Sequence, residues 1–337
     1  MHTRVPPPPS PLPRRFPLRA LPLALLALTA CGDQTPDSGP APAAAAVTVA
    51  NCGHTVALEA PPQRVITLNQ GATEIVLALG AEEQLVGTAY LDDEVSEAWA
   101  DAYARVPVLS EEYPSREAIL EQRPDLVVGS YASAFTDQAA GDRESLDGLG
   151  IASYLSPFAC PDDADVPEIS WDTVHRQIEE LALLLGREEE GNALVEEQRA
   201  VLDEIRGRAP AEGLSVLWWD NDTDTPMVGA GEGGPQLILD ALGAANVFAD
   251  LSGEWATTSW ESVLEADPDL IVLVDASWDT AEEKTAFLRE DPALRDLTAV
   301  REEAFITVPF STSTPGVRNV EAVQLIDAQL ADGGGPR

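Results

Sequence analysis

Among the residues that could do chemistry, the most suggestive run is Gly229-Ala230-Gly231-Glu232-Gly233-Gly234, which satisfies G-x-G-x-x-G after Met227-Val228 and before a helical segment. In a nucleotide-binding unit such glycines let backbone amides and a helix N-terminus cradle a pyrophosphate. Here the preceding strand is short and starts after Pro226, and Glu232 would repel phosphates, so a turn lining a cleft is the better reading. Lys284 is the single lysine among nineteen arginines and lies in no phosphate loop, and no G-x-S-x-G nucleophile elbow occurs. Past residue 31 the histidines are His54 and His175, too few for a multi-histidine zinc site, while a carboxylate-rich metal site stays open. With 58 acidic residues, close carboxylate pairs arise by chance and mark no acid–base dyad. No catalytic residue, metal ligand or cofactor is therefore assigned, and an enzyme of unrecognised type is the remote alternative.

The residues suited to holding a ligand are more numerous. Trp218, Trp219, Trp255, Trp260 and Trp278 put five of the seven tryptophans beyond residue 210. Neighbours on a strand face opposite ways, so one of Trp218 and Trp219 is core and the other, Trp219, is taken to face a ligand. Trp255, Trp260 and Trp278 lie in or beside loops, where an α/β cleft collects its contacts. Equivalent loops of the first half carry Asn69, Gln70, Tyr90, Tyr113, Tyr131 and Phe158. Arg318 opens the last helix and is the cation expected to meet a ligand carboxylate or phosphate, with a capping role as its alternative. Such a cleft is aromatic and polar.

The elements that must position these residues begin with an export signal. Arg14, Arg15 and Arg19 precede the apolar run 21–30, which is too short to span a bilayer and ends in small residues before Cys31. Leu28-Thr29-Ala30-Cys31 resembles a lipobox, which predicts a signal peptide over 1–30 and lipidation (palmitate) of Cys31. Residues 31–46 read as a flexible tether. Cys52 and Cys160 are the remaining thiols in an oxidising compartment and are read as a disulfide. The formal charge of −38 becomes −42 once cleavage removes four arginines and no acid, which excludes nucleic acid and leaves the acyl anchor as the route to the membrane.

From Val47 on, short apolar strands at 65–68, 85–88, 126–129 and 151–155 alternate with helical segments. Apolar positions at helical periods fill 171–208, with a kink expected at Gly186 or Gly191. Strands at 215–219, 270–274 and 305–308 alternate with helices beyond that. This predicts an α/β protein with central parallel sheets: a lobe over 47–170, a connecting helix over 171–209 and a second lobe over 210–331. An internal repeat supports the division. Residues 117–128 (EAILEQRPDLVV) align without a gap on 261–272 (ESVLEADPDLIV), and Ala78-Leu79-Gly80-Ala81 is echoed by Ala241-Leu242-Gly243-Ala244.

The lipobox, a short leading hairpin, Pro62-Gln63-Arg64-Val65-Ile66-Thr67-Leu68, then Ala72-Thr73-Glu74-Ile75, Leu79-Gly80 and two PDL strands together resemble the solute-binding lipoproteins of iron-siderophore and cobalamin importers. The similarity runs from about Val47 to Leu330. It implies two Rossmann-like lobes joined by one long helix, a monomer on the outer face of the cell membrane, and a small ligand in the cleft delivered to an ABC permease with a cytoplasmic ATPase. A ferric siderophore is the expected ligand, with cobalamin, haem or a deazaflavin coenzyme precursor as alternatives. The resemblance also implies an acidic docking residue on the first helix of each lobe. Glu74 takes that place in the first lobe; in the second the helix offers Asp240 instead.

Overall fold

The computed structural model describes residues 46–161 and 169–336. The signal peptide, Cys31 and nearly all of the tether lie outside them, and among the described residues no helix is long and apolar enough to cross a membrane. These described residues belong to one compact unit.

An antiparallel hairpin of β1 (Val47–Asn51) and β2 (His54–Leu58) leads into the first lobe. It turns at Cys52-Gly53, both at positive φ, and the Cys52–Cys160 disulfide ties that turn to the chain 108 residues on. A loop of that length is worth ~4 to 5 kcal/mol on the chain-entropy account. Buried Arg143 adds a polar tie, donating to Asn51 Oδ1 at 2.9 Å and to the Ser153 carbonyl at 2.8 Å.

Strands β3 (Val65–Leu68), β4 (Leu85–Ala89), β5 (Val108–Ser110), β6 (Leu126–Gly129) and β7 (Ala152–Leu155) form a fully parallel sheet in the order β5-β4-β3-β6-β7. The chain winds outward from β3 to β5 and then crosses back to β6, so β3 and β6 flank a topological switch point. The loops after those two strands, beginning at Asn69 and Ser130, diverge there. β3 and β6 are buried at every position, as continuous apolar runs between two helical layers require.

The second lobe carries β8 (Ser215–Asn221), β9 (Met227–Gly229), β10 (Ala245–Asn246), β11 (Trp255–Thr257), β12 (Leu270–Asp275) and β13 (Phe305–Pro309). β8, β10, β12 and β13 pair in parallel, but β9 and β11 run antiparallel at one edge, so this sheet is mixed. The antiparallel pairing of β9 also removes the βαβ context from the glycine run after it. Those glycines serve packing: a Cβ at Gly231 would stand 2.1 Å from the Ala249 carbonyl oxygen, and one at Gly234 equally close to that of Ser313.

The repeat has a structural cause. Asp125 accepts from the Gln63 and Arg64 amides at 2.8 and 3.0 Å, and Asp269 accepts from the Ser215 amide at 2.9 Å. Each aspartate of the Pro-Asp pair therefore clamps the entry of the central strand beside it, once per lobe.

Between the lobes, segment 171–208 is a hairpin of two helices, Trp171–Leu185 and the long Glu188–Arg208. The chain reverses at Gly186, which takes the left-handed conformation at φ 69°, so one kinked helix is replaced by two antiparallel ones. Both bridge: Trp171 and Val174 enter the second-lobe core while Ile178 to Leu185 enter the first, and the return helix places Val195 in the first and Leu202 and Ile205 in the second. At Gly191 a Cβ would lie 2.3 Å from that of Ala182, which is how closely the two helices pack.

Candidate functional site

The carboxyl ends of the first-lobe strands surround a cavity of about 610 Å³. Asn69 enters from β3, Tyr90 and Asp92 follow β4, Glu112 and Tyr113 follow β5, and Tyr131, Ser133, Thr136 and Gln138 follow β6. Phe310, directly after β13, is the second-lobe contribution to its wall. Tyr90 and Tyr113 meet edge to face with centroids 4.7 Å apart, and the Tyr113 hydroxyl donates to Asn69 Oδ1 at 2.9 Å. Asn69 is held at positive φ, a conformation asparagine tolerates better than most residues. Tyr131 also lines a smaller adjoining space between the lobes with Phe158, Glu254 and Thr314.

The electrostatics are acidic. Burial, with Asp93 adding, pushes the Asp92 carboxyl up to about 6. Burial followed by the Glu232 charge pushes Glu254 up to about 7. The Tyr131 phenol is pushed up by burial and then by Asp92. Among the described residues, no Lys, Arg or His lines the cavity or the adjoining space.

The structure brings Asn69, Tyr90, Tyr113 and Tyr131 into the cavity and Phe158 beside it. Trp278 does not line the cavity; it is 55% exposed, with its ring 5.2 Å from that of Phe310, which does. The other tryptophans are elsewhere. Trp219 is fully buried like Trp218, because β8 is covered on both faces and each face buries one indole. Trp260 packs edge to face on Trp219 at 4.9 Å and donates to the Thr223 carbonyl; Trp255 packs on the same second-lobe core. These three serve the core: strand alternation did not show that both faces of β8 are covered, and a place beside loops did not distinguish core from cleft for Trp255 and Trp260.

Gln70, Glu74 and Arg318 form a buried contact across the lobes. Arg318 Nη1 lies 3.2 Å from Glu74 Oε1, and Arg318 Nη2 lies 2.9 Å from Glu321 Oε1. Gln70 donates to Glu74 Oε1 at 2.9 Å, and Asp93 accepts from the Ser311 hydroxyl at 2.8 Å beside it. Glu74 is 1% exposed and Arg318 5%, so Glu74 faces no external partner and Arg318 is spent on carboxylates rather than on a ligand. Asp240 is exposed and accepts from Gln236 at 2.7 Å.

Ancestry accounts for this architecture. A family model for periplasmic binding proteins matches residues 65–312, and the chain belongs to that family. A periplasmic binding protein from Veillonella parvula superposes with a TM-score of 0.75 at 26% identity, covering 86% of this chain and 98% of that one. An ABC-type Fe3+-hydroxamate transport system protein from Saccharomonospora viridis gives 0.69 at 26% identity, covering 85% and 99%. The vitamin B12-binding protein of Vibrio campbellii is 24% identical over 211 residues, 63% of this chain and 70% of that protein.

The cross-lobe contact has a pH signature. Burial raises the Glu74 carboxyl from its usual 4.5 to about 7, outweighing the opposing pull of Arg318. Between those values the folded state binds more protons than the unfolded one, so stability contributed at Glu74 falls as pH rises. Glu74→Gln removes that titration. The melting temperature of wild type relative to Glu74→Gln is expected to fall from about pH 5 to about pH 7.5, as read by calorimetry at constant ionic strength; a pH-independent difference would reject the assignment.

Proposed function

We propose that this chain is an extracytoplasmic, lipid-anchored binding protein that holds a ferric siderophore or related metal chelate in the cavity at the β3/β6 switch point and hands it to an ABC permease, without catalysis. The observation that carries the reading is the cavity itself. About 610 Å³ of concave space walled by three tyrosines, Phe310 and a few fixed polar atoms lies within the usual range for small-molecule sites and sits where doubly wound sheets bind ligands. The relative from Saccharomonospora viridis, described as part of a Fe3+-hydroxamate transport system, favours a hydroxamate chelate; the Vibrio campbellii relative keeps cobalamin as the second reading. Trp278, one ring away from the cavity wall, makes intrinsic fluorescence a reporter. Saturable quenching by a ferric siderophore at micromolar concentration is the expected result in a titration panel that includes cobalamin, haem and a deazaflavin; saturation by one of those alone would replace the ligand and keep the binding role.

Permease docking needs exposed carboxylates in matched places on both lobes. The repeat supplies Glu117 and Glu261, each exposed and each the second residue of a helix capped by a serine, Ser115 or Ser259. Asp240 aligns with buried Leu77 and has no first-lobe counterpart. The double variant Glu117→Ala, Glu261→Ala is expected to lose uptake by at least about tenfold with ligand affinity intact, since short-range charge pairs govern such encounters. Asp240→Ala is expected to retain uptake; loss in that variant, or none in the double variant, would reverse the assignment.

The anchor rests on the Leu28 to Cys31 motif. Radioactive palmitate is expected to label the wild-type chain and not Cys31→Ala, and label persisting in the variant would reject lipidation at that residue.

A further inference from the structure

The walls of the cavity say more about the ligand than its size. Asp92 and Glu112 stand among the lining residues, Glu254 borders the adjoining space, and among the described residues no cationic side chain lines either. Arg318, the cation that could have reversed this field, is held by Glu74 and Glu321 and is 5% exposed. Arg116 packs its guanidinium against Gly141, outside the lining. The remaining walls are the rings and hydroxyls of Tyr90, Tyr113 and Tyr131, the ring of Phe310 and the neutral side chains of Asn69, Ser133, Thr136 and Gln138; aromatic rings attract a cation through their quadrupoles. Carboxylates and aromatic faces without a basic partner form a field of one sign inside a low-dielectric concavity, where charge acts more strongly than in water.

We infer that the cavity selects for positive charge: its ligand is a metal chelate carrying a pendant ammonium or equivalent cation, taken in preference to its neutral form and against anionic catecholate or carboxylate chelates. The inference rests on the chelate-binding reading above and refines it. An anionic chelate entering this cavity would lose hydration and find neutral hydroxyl and amide donors, but every charged group facing it, Asp92, Glu112 and Glu254, would be of its own sign.

One scaffold with three charges tests it. The probe is a linear ferric trihydroxamate with a free terminal ammonium, compared with the same molecule N-acetylated (neutral) and N-succinylated (anionic), titrated against the mature chain by tryptophan fluorescence. The ammonium form is expected to bind roughly tenfold more tightly than the acetylated form and the succinylated form roughly tenfold more weakly again, with the spread narrowing as salt is added. The double variant Asp92→Asn, Glu112→Gln is expected to narrow the same spread at low salt, whatever it does to overall affinity; a spread that survives intact would remove those residues as its source. If the acetylated or succinylated form binds wild type as tightly as the ammonium form, the charge inference fails and the chelate reading stands. If none of the three binds at micromolar concentration, the chelate reading fails and takes the inference with it. The wild-type series decides the matter even if the double variant does not fold.

Discussion

The contact between Arg318 and Glu74 is the constraint on which the arrangement of this protein turns. The Arg318 guanidinium and a carboxyl pushed up to about 7 are taken out of water where the lobes meet, and isolated burial of a charge there would cost several kcal/mol. The cost is offset by a dense set of partners: Gln70, the Ser96 amide and Glu321 on the charged groups, and Ser311 on both Arg318 and Asp93. Since Glu74 accepts from the Ser96 amide and Arg318, at the start of the last helix, donates to the Glu94 carbonyl, the contact fixes the loop after β4 against the segment after β13. Tyr90 and Asp92 come from the first of these and Phe310 from the second, so the shape of the cavity depends on that contact. Its charge does too, because Arg318 is held by Glu74 and Glu321 and does not line the cavity.

Topology decides where the cavity can be. Parallel strands that reverse their winding order leave two diverging loops at their carboxyl ends, and in the first lobe those loops carry Asn69 and Tyr131. The mixed sheet of the second lobe places its antiparallel edge after β8, and its tryptophans close the core there instead of opening a matching basin. The cavity is therefore asymmetric although the scaffold is a repeat. What the repeat preserves is framework: the Pro-Asp clamp on β3 and β8, and a serine-capped helix with an exposed glutamate beside it.

The helical hairpin couples the two halves mechanically. Each helix contributes to both cores, so a change in the angle between lobes must disturb packing at Trp171 and Val174 or at Ile178 to Leu185. Close-packed interiors resist such changes. A binding protein built this way is expected to move its lobes little compared with one joined by flexible strands.

Much of this was legible in the amino-acid sequence because it is local. The strand at 65–68, the helix ending near Gly80, the serine caps and the Pro-Asp turns follow from spacing and turn chemistry within a few residues. The duplication of 117–128 at 261–272 shows two α/β halves, and Asn69, Tyr90, Tyr113 and Tyr131 follow strands, where clefts gather contacts. The antiparallel edge of the second sheet was not legible, since β9 and β11 are three residues each and pair only in space. Nor was the division of 171–208 into two helices, because a glycine permits the left-handed turn without requiring it. The fates of Trp219, Glu74 and Arg318 depend on partners far along the chain: Arg318 finds Glu74 across 244 positions, and Trp219 is buried by Trp260 and Phe287. Sequence alone determined which elements form and that they form twice. Only the tertiary structure decided which charges cancel and which aromatics face the cavity, because both depend on what lies within a few ångströms rather than within a few residues.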